Sequence, residues 1–214
     1  MAETKSLYVM ISRTDTGVGK LIRRLSRYPY NHVSLSLDPT FKTWVSFARY
    51  VQNVPLYGGF IVEPAERFLA KGERIDVRIF RLDIPEEQHG RLERLFSMAS
   101  QADGELLYNT FDVLAAAVGG RFAVPNAYTC LGFACAVLEL PFTTIKEMDE
   151  HLAPHLCYEG DLGKLVTDSG HRNDRYFTRI GFARATWLTV RHLAKLSGRA
   201  LRPSFPDTVG QIHS

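Results

Sequence analysis

The chain has 214 residues, 45% hydrophobic and 23% charged, with a formal net charge of +3. No Pro/Gly/Ser-rich linker or charge block divides it, so one globular domain over 1–214 is expected, with a core at about 7–165 and a C-terminal extension at about 166–214. The Lys and Arg residues are dispersed rather than gathered in a stripe, so nothing asks for nucleic acid, and the longest apolar stretches, such as Val113 to Val118, fall short of a bilayer span.

In chain order, Leu7 to Ser12 reads as a strand. Thr16 can cap a helix running through Leu21, Ile22 and Leu25 to about Tyr28, ended by Pro29. His32 to Leu37 and Thr43 to Phe47 alternate on either side of Asp38-Pro39-Thr40, a hairpin pattern. Gly58-Gly59 reads as a loop, Ile75 to Leu82 as another strand, and Pro85 as the start of a helix with Leu92, Leu95 and Phe96 on one face. A helix from Tyr108 to Val118 stops at Gly119-Gly120. Asn126 can cap a helix from Ala127 to about Glu139, apolar almost all round and therefore buried. Glu159-Gly160-Asp161 reads as a turn, and Tyr176 to Lys195 as a long amphipathic helix interrupted by Gly181. The order of elements predicts an α+β fold, an antiparallel sheet packed against helices.

Cysteine usage is sparse: Cys130, Cys135 and Cys157, with no CxxC pair. An odd count leaves at least one free thiol and supports neither a disulfide framework nor tetrahedral zinc. The N-terminal run enters a strand without a signal-peptide apolar region, and the expectation is a soluble cytoplasmic protein with no cofactor and no stable membrane insertion.

Position separates the thiols. Cys130 falls near the start of its helix, where unpaired N–H groups and the dipole favour a thiolate and could hold an oxyanion, whereas Cys135 lies about a turn and a half further on. In the hairpin, alternation puts Val33, Leu35 and Leu37 on one face and His32, Ser34 and Ser36 on the other. If Val45 and Phe47 also face the core, one register sets Ser46 directly opposite His32, and a two-residue shift makes them diagonal neighbours. Either way a hydroxyl sits beside the imidazole, on the face not committed to the core. Spacing alone selects no pair, because three cysteines and seven histidines offer many.

The motifs add more. Tyr30-Asn31-His32-Val33-Ser34-Leu35-Ser36-Leu37-Asp38, followed by Trp44-Val45-Ser46-Phe47-Ala48-Arg49 and Gly58-Gly59-Phe60, resembles the His-bearing half of circularly permuted NlpC-like, papain-like cysteine hydrolases. Ala127-Tyr128-Thr129-Cys130-Leu131-Gly132-Phe133-Ala134 resembles their nucleophile helix, and the His strand precedes the Cys helix as in that family and in the related lecithin:retinol acyltransferase-like enzymes. The resemblance covers roughly Leu7 to Leu140, and Leu156 to Leu162 resembles uncharacterised members. It implies a permuted papain-like fold with Cys130 as nucleophile, His32 as base, and Ser46 where the acyltransferase-like enzymes carry a second His. A Leu at 131 departs from the usual Ser, and a hydroxyl at the third position cannot stabilise an imidazolium as a carboxylate would. Asp38 and Asn31 are further candidates for that orienting role. The implied activity is a thiol hydrolase acting on an amide bond of a peptide, isopeptide or cell-wall peptide. The alternatives are an acyltransferase or thioesterase on lipid-like acyl groups, and a catalytically silent binding module. The expected partner is a peptide or small-molecule substrate, with Tyr128 and Tyr8 as substrate-binding candidates or core aromatics.

Other signals carry less. Thr14 to Leu21 sits where a phosphate loop would, but lacks its first Gly and its hydroxyl after Lys20. His151 and His155 with Glu150 faintly resemble a metalloprotease helix that Pro154 interrupts, so no metal is expected. His171, beside Asp174, is the rival base. Arg184, Arg191, Lys195, Arg199 and Arg202 read as a solvated face, with contact to an anionic surface as the sharper alternative.

Overall fold

The computed structural model describes residues 4–15, 17–69, 74–99, 105–116, 120–166 and 175–202. Thr16, Val118, Gly119, His171 and Asp174 lie outside the described residues. The elements are β1 (Thr4–Ser12), α1 (Gly17–Ser26), β2 (His32–Ser36), β3 (Thr43–Arg49), β4 (Gly58–Pro64), α2 (Ala65–Leu69), β5 (Asp76–Pro85), α3 (Glu86–Ala99), β6 (Leu107–Tyr108), α4 (Thr110–Ala116), β7 (Ala127–Tyr128), α5 (Cys130–Leu138), α6 (Ile145–Leu152), β8 (Leu156–Asp161) and α7 (Phe182–Ala200). The strands form one sheet in the order β7-β6-β4-β3-β2-β1-β5-β8, antiparallel except for the β6/β7 pair. This is an α+β architecture, a large and mostly antiparallel sheet with helices packed on it.

Both faces of the sheet are covered. Val9, Ile11, Val33, Leu35, Phe47 and Phe60 point to the face occupied by α3, α5 and α6, where Phe133, Ala134 and Val137 of α5 are buried among them. On the opposite face Met10, Trp44, Val77 and Ile79 pack against Ala65 and Leu69 of α2 and against Leu162 and Val166. The expectation that the face of His32, Ser34 and Ser36 is left uncommitted is therefore corrected: Ser34, Ser36 and Ser46 are all buried. The reason is α2, a short helix that folds back from β4 over this face.

Four local readings are also corrected. Glu159-Gly160-Asp161, read as a turn, forms the end of β8 and pairs with Arg78, Val77 and Asp76 of β5. Gly58 and Gly59 open β4 instead of forming a loop. A Cβ on Gly58 would meet the Ala48 carbonyl oxygen at 2.4 Å, and one on Gly59 the Leu106 carbonyl oxygen at 2.4 Å, so bare backbone is what lets β3 and the Leu106–Tyr108 segment approach β4. The segment from Tyr108 to Val118 begins as strand, with helix only from Thr110. Ala127-Tyr128 is likewise strand, and α5 starts at Cys130, capped by Thr129 and not by Asn126. The Thr129 side chain accepts from the Gly132 N–H at 3.0 Å. Cys130 thus stands at the first helical position.

The hairpin turn is closed by Asp38, whose carboxylate accepts from the backbone N–H groups of Thr40, Lys42 and Thr43. Leu35 pairs with Val45, a register that aligns Ser34 with Ser46 and leaves His32 one pair further along. Of the two registers the alternation allows, the shifted one is adopted.

Candidate active site

His32 is the first residue of β2, beside the N-terminus of α5, which packs on β2 and β3. The imidazole and the Cys130 sulfur border the same cleft and are close enough to shift each other's titration. The ring also meets Glu63 on β4, with His32 Nε2 and Glu63 Oε2 2.8 Å apart. A carboxylate only accepts, so Nε2 carries the proton in this contact.

Glu63 is the residue the sequence reading missed. It is only 4% exposed, and its Oε2 also accepts from the hydroxyls of Ser34, at 3.1 Å, and Ser46. Its other oxygen lies 3.9 Å from Arg67 Nε. Ser46 therefore does not hydrogen-bond the imidazole, as the sequence predicted; it secures the carboxylate that does. Asp38 is consumed by the turn. Asn31 clamps Thr14, its Oδ1 accepting the Thr14 N–H at 2.8 Å and its amide donating to the Thr14 hydroxyl at 2.9 Å, while its side chain also borders the cleft. A signal for Glu63 was present: a lone carboxylate in Phe60-Ile61-Val62-Glu63, a run otherwise fit for burial.

The charges follow from this packing. Burial alone would raise the Glu63 carboxyl, but the imidazolium of His32, the nearby Arg67 and the Ser46 hydroxyl hold it down at about 2. Burial alone would lower His32, but the Glu63 charge and the hydrogen bonds to Cys130 and Glu63 push it up to about 10. Burial would raise Cys130 as well; the hydrogen bond and charge of His32 and backbone hydrogen bonds from Val33 and Leu131 lower it below the usual thiol value. His32 and Cys130 each favour the charged form of the other. The other thiols go the opposite way. Burial raises both Cys135, which donates to the Phe142 carbonyl at 3.4 Å, and Cys157, which donates to the Ile79 carbonyl at 3.3 Å.

Cys130, His32 and Glu63 open onto a cleft of about 130 Å³, bordered also by Arg49, Arg67, Phe47, Tyr108, Tyr176 and Phe177. The Tyr108 phenol is raised by burial and then by the charge of Cys130, and both residues border the cleft. The turn at Arg175–Phe177 is fixed as a wall: the Gln52 N–H donates to the Tyr176 carbonyl at 2.9 Å, Arg49 donates to the Tyr176 hydroxyl at 3.0 Å, and the Arg67 guanidinium lies 4.1 Å from the Tyr176 ring centroid.

Neither predicted substrate-binding tyrosine borders the cleft. Tyr128 packs edge-on against Phe47, ring centroids 5.3 Å apart, and its parallel neighbour Tyr108 takes the lining position. Tyr8 pairs with Ser36, at the far end of β2 from His32, roughly 13 Å along the strand at the usual rise per residue. It packs against Phe41 with centroids 5.1 Å apart. Among the described residues no group of three His, Cys, Asp or Glu side chains could hold a metal ion, and His151 and His155 are exposed. No helix of the described residues is long and apolar enough to cross a membrane. No protein-family model, curated protein or solved structure matches the chain.

Proposed function

We propose that this protein is a thiol hydrolase with a permuted papain-like fold that cleaves an amide bond, of a peptide, isopeptide or cell-wall peptide, through an acyl-enzyme on Cys130. The observation that carries the reading is the chain Cys130–His32–Glu63, set at a helix N-terminus and opening onto a cleft. The His strand preceding the Cys helix, as in the family the motifs resemble, agrees with it. A silent binding module has no use for a buried carboxylate, two supporting hydroxyls and an ion pair at its cleft, a combination that costs desolvation to maintain.

In the reaction, the Cys130 thiolate adds to the carbonyl carbon, forming a C–S bond while the π electrons move to oxygen. N–H groups in the first turn of α5 have no acceptor within the helix, and they and the Tyr108 hydroxyl are the donors for that oxyanion. As the C–N bond breaks, His32 delivers its proton to the leaving amine. Water then adds to the thioester, giving a proton to His32. The C–S bond breaks, an acid is released and the thiolate returns. Glu63 keeps the imidazole in the productive tautomer and balances its charge throughout.

The cleft favours an amide substrate over a long acyl chain. A volume of about 130 Å³ holds a short acyl group, less than the several hundred Å³ of a typical drug-sized pocket, and its cations Arg49 and Arg67 suit a polar substrate. The test is turnover of a panel of peptidyl aminomethylcoumarin amides, with mass spectrometry of the acylated intermediate. Turnover with an adduct on Cys130, lost in Cys130→Ser and His32→Ala, is expected. Absence of turnover and adduct across the panel, or turnover that persists in Cys130→Ser, would overturn the proposal.

A further inference from the structure

We propose that α7 is an interfacial helix that docks the protein on an anionic lipid bilayer. Its inner face is already used: the His192 ring donates to the Tyr108 carbonyl at 2.9 Å, Leu196 is buried against Leu107, Val124 and Ala127, and Arg199 donates to the Asn126 carbonyl at 3.0 Å. The outer face is apolar. Ala183, Trp187, Val190, Ala194 and Leu201 recur at helical spacing on the side turned away from the sheet. Trp187 is 58% exposed, Val190 60% and Leu201 83%, and Phe182 at the helix start is 89% exposed. Scattered exposed apolar residues need no explanation, but an aligned row that includes an exposed Trp does.

Charge selects the occupant. Arg184, Arg191 and Lys195, all exposed, form a second row directly beside the apolar one, and Arg202 follows it. The Arg191 guanidinium lies 5.2 Å from the Trp187 ring centroid. From Arg175 to Arg202 the sequence holds seven basic residues and neither Asp nor Glu. A second copy of the chain seated on this face would bring like charges together. An anionic headgroup layer takes both rows at once: cations at the phosphates, with Trp187, Val190 and Leu201 entering the acyl boundary. The turn at Arg175–Phe177 that walls the cleft ends five residues before Phe182, so a docked α7 holds the cleft near the lipid surface.

The intact chain reports on this directly, because its other tryptophan, Trp44, is fully buried. With phosphatidylcholine vesicles containing about one-third phosphatidylserine, the protein is expected to co-sediment and Trp187 emission to shift to the blue. Pure phosphatidylcholine is expected to bind far less, and added salt to release the protein. Each of Arg184→Glu, Arg191→Glu and Lys195→Glu should weaken partitioning about fivefold or more, and Trp187→Ser should abolish the shift; these positions are exposed, and circular dichroism checks that each variant is folded. No sedimentation with anionic vesicles at low salt, equal binding to neutral vesicles, or a lipid-independent blue shift that grows with protein concentration and dimer mass would each overturn the proposal. Partitioning is measured without turnover, so the result stands apart from the chemistry at Cys130.

Discussion

His32 Nε2 and Glu63 Oε2 lie 2.8 Å apart although their strands are separated by β3, and Ser46, on that intervening strand, donates to the same carboxylate oxygen. The carboxylate is thereby fixed before substrate arrives. Glu63→Gln keeps the shape and removes the charge. It is expected to lower turnover about 10²-fold or more and to move the alkaline limb of the pH profile down, since His32 loses the charge that raises it. Ser46→Ala, with Ser34 still donating, should reduce turnover by less than Glu63→Gln does. Combined, the two should be far from additive, because both act through one carboxylate.

Tyr108→Phe removes a hydroxyl without removing the ring that lines the cleft. If that hydroxyl donates to the oxyanion, kcat falls about 10- to 10³-fold while KM stays close to the parent value. Loss of packing alone would not produce that split.

Stability should vary with pH through the same groups. Glu63 is held near 2 against an ordinary value of 4.5, so its contribution is complete above about 4.5 and is lost as pH falls through 2. His32 is raised to about 10 from 6.5, so its contribution is complete below about 6.5 and is lost as pH rises through 10. Urea unfolding across pH should show a plateau between those limits, and His32→Ala should flatten the alkaline side.

Gly59→Ala tests the strand geometry under the site. Its Cβ would meet the Leu106 carbonyl oxygen at 2.4 Å, and backbone cannot swing away as a side chain can. A loss of about 1–3 kcal/mol in urea unfolding is expected, with turnover falling as well, because Leu107 pairs with Gly59 and Tyr108 follows it.

The proposed nucleophile and base were picked out by motif resemblance, with the helix start favouring Cys130 over Cys135, since spacing alone selects no pair. Glu63 was not, since Gly58-Gly59 reads as a turn and hides β4, and contact between β2 and β4 depends on strand order, which no local pattern carries. Ser46 was found for the right neighbourhood and the wrong partner, because alternation fixes a side chain's face but leaves the register free by two. Tyr8 and Tyr128 show the same limit: an aromatic on a strand announces burial, and only the tertiary fold decides whether it borders a cleft or a core. The break at Gly181 was visible, whereas the docking of Tyr176 against Arg49 and Arg67 spans more than a hundred residues of chain.

The most direct test of the account is the pH dependence of iodoacetamide alkylation, read at each cysteine by mass spectrometry. Burial raises Cys135 and Cys157, while His32 lowers Cys130, so Cys130 should react selectively well below the ordinary thiol range and lose that advantage in His32→Ala. Alkylation of Cys130 no faster than of Cys135, or unchanged by His32→Ala, would contradict it.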